Sequence, residues 1–286
     1  MPMNPRLLRP LASGVHPEAA IWRNNVIANS GSVSGSTLKA VSDFCRRIDA
    51  AGLRSKFYRL NLFCGTDLNA CLVPLYRNTT AAGSVLGNST DTNNGPFVSG
   101  DYAETGANGG LIGNGSSKYL ATGFNPSTSA SNDSFHLSVY ASGTENTGTT
   151  RALIGSFATN QETYIGHLNN GGSQTGSIAG SNASANRIGP GATFQQGLLT
   201  IATGVGSRAG QFYVNGSTSG SSSTMAGSFL NGAIHVFAVN NNGTPGFYTS
   251  APRLRAYSIG LGMTGADVSA FNTAMQSFQT ALTRNV

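Results

Sequence analysis

The sequence predicts a mainly β protein whose strands form an antiparallel sandwich. Four short apolar runs lie close together in the second half of the chain, at 197–202, 211–214, 233–239 and 253–259. The second run leads directly into Asn215-Gly216, a pair that favours a type I′ hairpin because both central residues of that turn need positive φ. Strands separated by turns at such short spacing indicate a sandwich rather than alternating βαβ units.

The composition is typical of a folded chain with many loops. Of the 286 residues, 10% are charged, 39% are hydrophobic and 38 are glycine. The hydrophobic residues cluster in short runs, which a disordered chain lacks. The length allows one large β domain with an appendage, or two domains. The polar surface has to come from Ser, Thr, Asn and Gly, which suits a tightly packed extracellular or virion protein.

The positive charge is concentrated in the N-terminal part of the chain. Residues 1–80 hold ten Lys and Arg residues but four acids, which accounts for the whole net charge of +6. This asymmetry indicates a separate N-terminal unit. Lys39, Asp43 and Arg47 are spaced to share one helix face, so much of the basic charge is paired internally and nucleic acid is not an expected partner.

The three cysteines, Cys45, Cys64 and Cys71, are expected to be reduced, buried thiols. Their odd number and spacing do not form a disulfide framework, and no histidine lies near them to complete a zinc site. No apolar segment of signal-peptide type follows Met1, and no stretch approaches the roughly 20 apolar residues of a membrane span. We therefore expect synthesis in a reducing cytoplasm without a signal peptide, and no membrane partner.

Residues 1–15 are predicted to form an extended basic arm. Prolines at positions 2, 5 and 10 exclude a helix interior there. The centre of the arm combines two apolar and two basic side chains: Arg6, Leu7, Leu8 and Arg9. Leaving two leucines in water is unfavourable, so we expect the arm to lie on another surface.

Residues 16–82 are predicted to form a helical and mixed docking region. One helix begins near Pro17, and a second begins near Ser36 and carries an apolar stripe. An alternating strand at 57–63 follows these helices. Residues 83–104 are rich in Gly, Asn and Thr and are assigned to a linker loop.

The sandwich itself is assigned to residues 105–262. Its clearest strand, 135–140, alternates apolar and polar side chains, so one set is expected to face the core and the other to face outward. The inward set is Phe135, Leu137 and Val139, and the outward set is His136, Ser138 and Tyr140.

Residues 263–286 are predicted to form a C-terminal helix. Thr264 and Asp267 provide a near capping box, and apolar residues follow at spacings of three and four from Val268 to Leu282. Such a stripe suits either an oligomerising coil or a helix packed on its own sandwich. Because it spans fewer than three heptads, we favour the packed helix.

Three parts of the chain resemble the concanavalin A-like lectin and glucanase superfamily, which includes laminin-G-like domains. Residues 211–216 resemble a hairpin of that family, and residues 113–120 resemble its opening strand pair. Residues 254–260, followed by 263–268, are similar to its last strand and short terminal helix. The order and spacing of these segments agree with the family. The resemblance covers about residues 105–285 and implies a jelly-roll sandwich.

The two ends of the chain resemble structural proteins of tailed bacteriophages. Those proteins often combine a start similar to residues 4–10 with a lectin-like jelly roll, and residues 275–286 resemble their ending. This resemblance implies a virion protein made in the host cytoplasm. The arm around Arg6 and Arg9 would then dock the protein onto the particle. The implied partners are other capsid or tail proteins, and we expect a homo-oligomer.

The chain lacks the catalytic signature of the glucanases in the superfamily that it resembles. Those enzymes carry Glu-x-Asp-x-x-Glu on one strand, because an acid and a nucleophile have to lie close together. The acids near the sandwich are well separated in sequence: Asp133, Glu145, Glu162 and Asp267. No phosphate-binding loop and no Ser-His-Asp set is evident. We expect no enzyme, no cofactor and no metal, with the loop at 91–94 as the nearest local candidate for Ca²⁺.

Three tyrosines on predicted strands are the candidates for binding sugars without catalysis. Such binding requires aromatic side chains and hydrogen-bonding groups on an exposed face. The candidates are Tyr140, Tyr164 and Tyr213. The alternative for each of them is an ordinary structural role within a strand.

These observations leave three hypotheses for the function. The first is a non-enzymatic structural protein of a tailed-phage virion, either a capsid decoration or a tail or fibre component, that docks through residues 1–80 and displays its sandwich. The second is a carbohydrate-binding adhesin that recognises host surface glycans. The third is a glycoside hydrolase, which would need two neighbouring carboxylates that converge in space.

Overall fold

The computed structural model describes residues 14–80, 82–83, 90–143, 149–167, 174–180, 186–190, 194–204 and 206–286. Within these ranges the protein is mainly β, with two sheets packed as a sandwich and longer helices towards the two ends of the chain. The predicted fold class, a jelly-roll β-sandwich with N-terminal helices and a C-terminal helix, is confirmed. None of the described helices is both long and apolar enough to cross a membrane.

Short strands make up most of the regular structure. The α-helices are α1 (Pro17–Ala28), α2 (Gly35–Ala50), α3 (Leu68–Cys71), α4 (Pro126–Ser129) and α5 (Gly265–Ala281). The strands up to residue 142 are β1 (Phe57–Asn61), β2 (Tyr76–Arg77), β3 (Thr92–Asn94), β4 (Tyr102–Ala103), β5 (Gly110–Ile112), β6 (Tyr119–Ala121) and β7 (His136–Ser142). The later strands are β8 (Arg151–Phe157), β9 (Glu162–His167), β10 (Gln174–Gly180), β11 (Gly197–Thr203), β12 (Ala209–Val214), β13 (Ser217–Thr218), β14 (Ser223–Thr224), β15 (His235–Val236), β16 (Val239–Asn241), β17 (Thr244–Gly246) and β18 (Arg253–Gly260).

The strands form two sheets, which we call sheet A and sheet B. Sheet A has the order β13-β12-β11-β7-β18-β1-β2, and β5 also pairs with β18. Sheet B has the order β10-β9-β8-β15-β6-β3. The described pairings are antiparallel except where β16 joins β8 in parallel and where Ala152 forms an isolated parallel bridge with Tyr248. Neighbours such as β7 and β18 are far apart in sequence, so the sheets depend on long-range contacts.

The hairpin at Asn215-Gly216 has the geometry that the sequence predicts. Asn215 has a φ of 50° and Gly216 a φ of 82°, so both central residues have the positive φ that a type I′ turn requires. The turn joins β12 to β13. The Asn215 side chain also accepts a hydrogen bond from the Leu198 N–H at 2.9 Å, which ties the turn to β11.

The apolar interior divides into two layers on opposite sides of sheet A. Between the two sheets, Leu137 and Val139 pack in one cluster with Ile154 and Ile165 of sheet B. On the other side of sheet A, a second cluster joins Tyr140 to apolar residues of α1, α2 and α5. The molecule therefore consists of a helical layer, sheet A and sheet B, in that order.

The alternation predicted for residues 135–140 is confirmed, but the expected exposure of its outward set is wrong. His136, Ser138 and Tyr140 do point away from the inter-sheet core, yet all three are buried. The reason is that the helical layer covers the outer face of sheet A. Alternation defines which residues share a face and does not define what covers that face.

Helix α5 packs on the sandwich, as favoured from its sequence. The ring of Phe271 lies 5.1 Å from that of Phe57 in β1, measured between centroids. Further along α5, the ring of Phe278 lies 5.8 Å from that of Phe44 in α2. The apolar stripe of α5 is thus used within the chain, between sheet A and α2.

Side-chain caps define where the longer helices begin. Ser34, rather than the predicted Ser36, caps α2 by accepting a hydrogen bond from the Thr37 N–H at 3.0 Å. At α5 the predicted capping box is complete, because Thr264 and Asp267 each accept a bond from the other's backbone N–H. Both caps satisfy N–H groups that a helix leaves without partners in its first turn.

The N-terminal region is built into the sandwich, a point that the sequence leaves open. β1 pairs with β18, with Leu60 opposite Ser258, so a strand from 16–82 lies inside sheet A. The segment 83–104, assigned to a linker loop, contains β3 of sheet B and β4 of sheet A. Polar strands of two or three residues carry no apolar periodicity, which explains why the sequence did not predict them. The domain boundaries themselves stay a prediction.

His136 is held as a neutral side chain between sheet A and the helical layer. Its Nδ1 lies 2.7 Å from the carbonyl oxygen of Leu261, and its Nε2 lies 3.0 Å from Oγ of Ser258. Since a carbonyl oxygen only accepts, Nδ1 carries the proton and Nε2 accepts from the serine hydroxyl. Burial lowers the pKa of His136 from 6.5 to about 4, although the hydrogen bond to Leu261 acts in the opposite direction.

We expect the free energy of unfolding to fall as the pH is lowered from 6.5 towards 4. In this window the unfolded chain binds a proton at His136 and the folded chain does not, so the stability present above pH 6.5 is progressively lost. The contribution of His136 to this loss is about 3 kcal/mol, measurable by chemical denaturation across the window. The control is His136→Gln, which should show a correspondingly weaker pH dependence. An identical pH dependence in the two proteins would contradict the assignment.

Candidate functional site

The three tyrosines predicted to bind sugars are buried. The exposed fraction is 0% for Tyr140, 2% for Tyr164 and 7% for Tyr213. Tyr140 lies under α5, where its hydroxyl donates to Oε1 of Gln276 at 3.2 Å. Tyr213 belongs to the same helix-covered cluster, whereas Tyr164 packs on sheet B beside Phe247. The expectation that these rings form one exposed face is therefore wrong, because they lie on two different sheets and both positions are covered.

The predicted docking residues, Arg6, Leu7, Leu8 and Arg9, lie outside the residues that the structure describes. Their role stays a prediction. The first described residues lie against α2: the Gly14 carbonyl accepts a hydrogen bond from Arg46, and Nε2 of His16 lies 2.9 Å from Oδ2 of Asp49.

The carboxylates that the structure describes all have structural partners. Ion pairs with Lys or Arg are made by Glu18, Asp43, Asp49, Asp91, Asp101, Glu162 and Asp267. Bonds from backbone or hydroxyl groups are accepted by Asp67, Glu104 and Asp133. Glu145 lies outside the described ranges. Two free carboxylates facing one cleft, the arrangement that a glycosidase needs, do not occur in the described part of the chain.

The loop at 91–94, the Ca²⁺ candidate, uses its carboxylate for an internal ion pair. Asp91 accepts from Nη2 of Arg59 at 2.6 Å, and its two oxygens lie 2.6 and 2.7 Å from the Tyr257 hydroxyl. Nδ2 of Asn61 donates to the same carboxylate at 3.2 Å. Both oxygens of Asp91 are therefore satisfied, and the adjacent guanidinium would repel a cation.

A second group of metal-type ligands is also engaged within the fold. Ligand atoms of His16, Glu18 and Cys45 lie within 4.8 Å of one another. Burial raises the pKa of the Cys45 thiol well above its usual range, so it stays protonated. Glu18 accepts from the Tyr76 hydroxyl at 2.7 Å and pairs with Arg54 at 3.1 Å. This cluster therefore has a structural explanation.

The outer face of sheet B is covered around Tyr164 by a small apolar cluster that includes Val239 and Phe247, and it is partly open around Tyr119. Helices α1, α2 and α5 pack in the cluster on sheet A, and none of these three helices covers the outer side of sheet B. Leu120 and Val236 belong to the inter-sheet core, so their neighbours Tyr119 and His235 point outward. Sequence neighbours on a strand alternate between faces, which places both aromatic residues on the outer side of sheet B, where Tyr119 is partly exposed and His235 is buried.

Cross-strand pairing brings polar residues beside these rings. Asn94 of β3 lies opposite Tyr119 of β6, and both Thr92 and His235 lie opposite Ala121. Residues opposite each other on neighbouring strands share a face. We define the sheet B patch as Thr92, Asn94, Tyr119, His235 and Tyr248.

Aromatic rings form the centre of the sheet B patch. The ring centroid of Tyr119 lies 4.7 Å from that of His235 and 6.2 Å from that of Tyr248. Both tyrosines are partly exposed. Arg151 fixes the neighbouring backbone, because its Nη1 donates to the carbonyl oxygens of Tyr248 at 2.6 Å and Gly115 at 2.8 Å. Tyr119 and His235 are therefore positioned by their strands in sheet B, and Tyr248 is positioned by the hydrogen bond from Arg151 to its carbonyl oxygen.

The sheet B patch is electrically neutral. Burial lowers the pKa of His235 to about 4, so its imidazole is uncharged near neutral pH. Its Nδ1 has no hydrogen-bond partner within the described ranges. Two tyrosine rings and the amide of Asn94 offer stacking surfaces and hydrogen bonds but no charge, whereas the Nδ1 of His235 is buried. Such a set suits an uncharged, hydroxyl-bearing ring as ligand.

Sequence reasoning did not find the sheet B patch. A usable pattern existed, because Tyr119 and His235 each alternate with apolar neighbours and are therefore outward residues of their strands. The sequence does not show which of the two sheets has an exposed outer face. Thr92 and Asn94 lie in the segment assigned to a linker, so they were not considered as strand residues at all.

Comparison with known proteins supplies neighbours of low similarity. No protein-family model and no curated protein matches the chain. Domain 4 of AbnA, an extracellular arabinanase from Geobacillus stearothermophilus solved with arabinotriose, is 18% identical with a TM-score of 0.45, over 76% of this chain and 98% of that one. A mutant Trypanosoma rangeli sialidase displaying trans-sialidase activity is 11% identical with a TM-score of 0.48, over 84% of this chain and 39% of that one.

A third neighbour is the binding domain of botulinum neurotoxin DC, solved in complex with rat synaptotagmin II. It is 13% identical with a TM-score of 0.37, over 56% of this chain and 40% of that one. The matches thus span less than half the length of the sialidase and toxin chains. Values of this size assign neither an activity nor a ligand. The class that the fold and the site define is a β-sandwich with one helix-covered face and one partly open face.

We expect Asp91→Asn to destabilise the protein strongly. The substitution leaves the buried Arg59 guanidinium without a charged partner, which typically costs about 3–5 kcal/mol. The matched control is Asp43→Asn, because Asp43 pairs with Lys39 on the partly exposed side of α2 and such pairs contribute about 1 kcal/mol or less. Chemical denaturation of the three proteins measures both effects. Equal, small losses would show that the buried pair does not hold the sheets together.

Proposed function

We propose that this protein is a non-enzymatic structural protein of a tailed-phage virion, which docks through its N-terminal region and displays the partly open face of its sandwich. It would serve as a capsid decoration or as a tail or fibre component. The observation that carries the proposal is the asymmetry of the sandwich, with helices on sheet A and the sheet B patch on the opposite side. The virion setting rests on the resemblance of residues 4–10 and 275–286 to phage structural proteins.

The position of the first described residues supports docking from the helix-covered side. The backbone N–H of His16 donates to Oγ of Ser42 in α2 at 2.8 Å, and Arg46 of α2 donates to the Gly14 carbonyl. Gly14, near the end of the predicted arm, therefore lies at the helical layer. A particle bound there lies on one side of the sandwich, and the sheet B patch faces the other side.

The chemistry of the acids supports a non-enzymatic role. The described carboxylates are used as helix caps, ion pairs and turn acceptors, and such groups are not free to act as acid or nucleophile. In this proposal the partners are other capsid or tail proteins and further copies of the chain. The protein reaches the virion after synthesis in the host cytoplasm, without a cofactor.

We expect deletion of residues 1–13 to abolish incorporation into particles while leaving the fold intact. The deletion ends before Gly14, so the contacts of α1 and α2 in the described structure remain. The measurement is the amount of protein in purified particles after complementation of a phage that lacks the gene, together with thermal unfolding of the isolated protein.

Two variants of the arm sharpen this test. The first replaces Arg6, Leu7, Leu8 and Arg9 by alanine and should behave like the deletion. The control replaces Met3 and Asn4 by alanine, which leaves the two basic and two apolar side chains in place, and should be incorporated normally. Full occupancy by the deleted protein would refute the docking role of the arm.

A second function, binding of host surface glycans, is favoured by the sheet B patch. The patch combines two partly exposed tyrosine rings, Tyr119 and Tyr248, which lie in edge contact at 6.2 Å, with the neutral amide of Asn94 on the outer side of sheet B. Sugars are recognised by this combination, because their C–H faces stack on aromatic rings and their hydroxyls bond to amides and ring nitrogens. We place the glycan contacts at Tyr119, Tyr248 and Asn94, in place of the buried tyrosines predicted from the sequence, and the buried ring of His235 packs against Tyr119.

We expect Tyr119→Ala and Tyr248→Ala each to weaken glycan binding about fivefold, since one aromatic contact contributes about 1 kcal/mol. A glycan array identifies the ligand, and titration of the best neutral glycan gives the affinities. The matched controls are Tyr164→Phe and Tyr213→Phe, which alter buried tyrosines and should leave binding unchanged. Absence of binding to every glycan on the array would reject this second function without affecting the docking proposal.

A further inference from the structure

A basic cleft lies at the strand ends of sheet A, where β7 ends and β18 begins. Its volume is about 460 Å³. Three arginines line it, two from β18 and one from the segment that follows α5: Arg253, Arg255 and Arg284. Polar side chains are added by Ser142, Gln196 and Asn285. The described residues that line the cleft include no aspartate and no glutamate.

A β-bulge places Arg255 at this cleft. The register of β18 against β7 shifts between Leu254 and Ala256, which makes Arg255 the extra residue. Bulges redirect a side chain away from the regular alternation of the strand. Here Arg255 is directed towards the preceding loop, where Nε donates to the Gly109 carbonyl at 3.0 Å and Nη2 donates to the Ala107 carbonyl at 2.9 Å.

Arg284 lies directly against Arg255. Nη2 of Arg284 donates to the Arg255 carbonyl at 3.2 Å, and Arg255 donates in return to the Arg284 carbonyl. Further bonds run from Arg284 to the carbonyls of Leu62 and Phe63. Neither guanidinium donates to a carboxylate oxygen of the described chain.

The two buried guanidiniums therefore keep their charge. Carbonyl oxygens satisfy N–H groups but do not neutralise a cation. Burial, followed by the proximity of Arg284, lowers the pKa of Arg255 to about 10, so the side chain remains protonated near neutral pH. Glu104 attracts Arg284 and offsets part of its charge, whereas the buried charge of Arg255 raises the electrostatic potential of the cleft beside it.

Arg253 supplies hydrogen-bond donors for a ligand. It is only partly buried, and its Nη1 makes long bonds to the carbonyls of Gly110 at 3.3 Å and Asp101 at 3.5 Å. Its Nε and Nη2 donate to no residue in the described ranges. Arg253 therefore differs from Arg255 and Arg284, whose donors are committed to backbone carbonyls and to Oε1 of Gln279.

We propose that this cleft binds an oxyanion carried by a small polar molecule, with Arg253 as the direct contact. Guanidinium groups form charge-assisted, often paired hydrogen bonds with carboxylate, sulfate and phosphate oxygens. Arg255 and Arg284 supply the positive field, and Ser142 and Gln196 are positioned to contact the uncharged part of the ligand. The volume of the cleft lies within the range of about 300–1,000 Å³ that small-molecule sites occupy. The site does not depend on the neutral sheet B patch.

The experiment is calorimetric titration of the full chain with four probes: inorganic phosphate, sulfate, glucuronate and glucose. We expect saturable binding of at least one oxyanion and none of glucose, which is the uncharged parent of glucuronate. Binding should weaken as sodium chloride is added, because salt screens the attraction. Preference for glucuronate assigns a carboxylated sugar, and preference for phosphate or sulfate assigns a tetrahedral oxyanion. No saturable binding of any oxyanion overturns the proposal.

The variants separate a specific site from general attraction to a basic protein. Arg253→Gln should weaken oxyanion binding about tenfold, the effect of losing one hydrogen bond to a charged group. Arg47→Gln makes the same charge change on the exposed side of α2 and should leave binding unchanged. If Arg253→Gln does not fold, Gln196→Glu places a negative charge at the exposed rim and should weaken binding instead. Equal effects of the Arg253 and Arg47 variants overturn the proposal.

Discussion

The buried ion pair between Arg59 and Asp91 is the interaction on which the joining of the two sheets depends. Arg59 lies on β1 in sheet A, Asp91 lies immediately before β3 of sheet B, and both side chains are fully buried. Two charges removed from water are tolerated only when the remaining donors and acceptors also have partners. Tyr257 and Asn61 provide those partners. If β1 separated from sheet A, Arg59 and Asp91 would lose each other as charged partners. This pair therefore makes the N-terminal region part of the sandwich.

The layering of the molecule follows from this placement of β1. β18 lies between β7 and β1 in sheet A and leads into α5, and α5 packs against α2 through Phe278 and Phe44. The helices consequently cover the outer side of sheet A, and the outer side of sheet B stays partly open around Tyr119 and Tyr248. The sheet B patch and the helical layer therefore face opposite directions. This arrangement suits a protein that is held on one side and presents a surface on the other.

The candidate site depends on which faces of the sheets are covered, and the sequence does not predict this. Alternation along 135–140 correctly separated Leu137 from Tyr140, yet the outward face proved to be covered by helices. The chemical criterion for sugar binding was sound, but it was applied to the wrong sheet. Tyr119 and Tyr248 meet the same criterion on the outer side of sheet B, where both are partly exposed. The sequence does not predict the basic cleft either, because the cleft depends on a bulge at Arg255 and on a contact with Arg284, 29 positions away.

Local features were determined by the sequence alone. The positive φ values of Asn215 and Gly216, the capping box at Thr264 and the alternation of β7 each depend on a few neighbouring residues, so their residue types suffice to predict them. Only the tertiary structure decided which faces are exposed and which charges are paired. Arg59 and Tyr257 are separated by 198 positions, and Asp91 meets both of them in the inter-sheet core. Burial and charge pairing of this kind arise from contacts between distant segments, which no local pattern encodes.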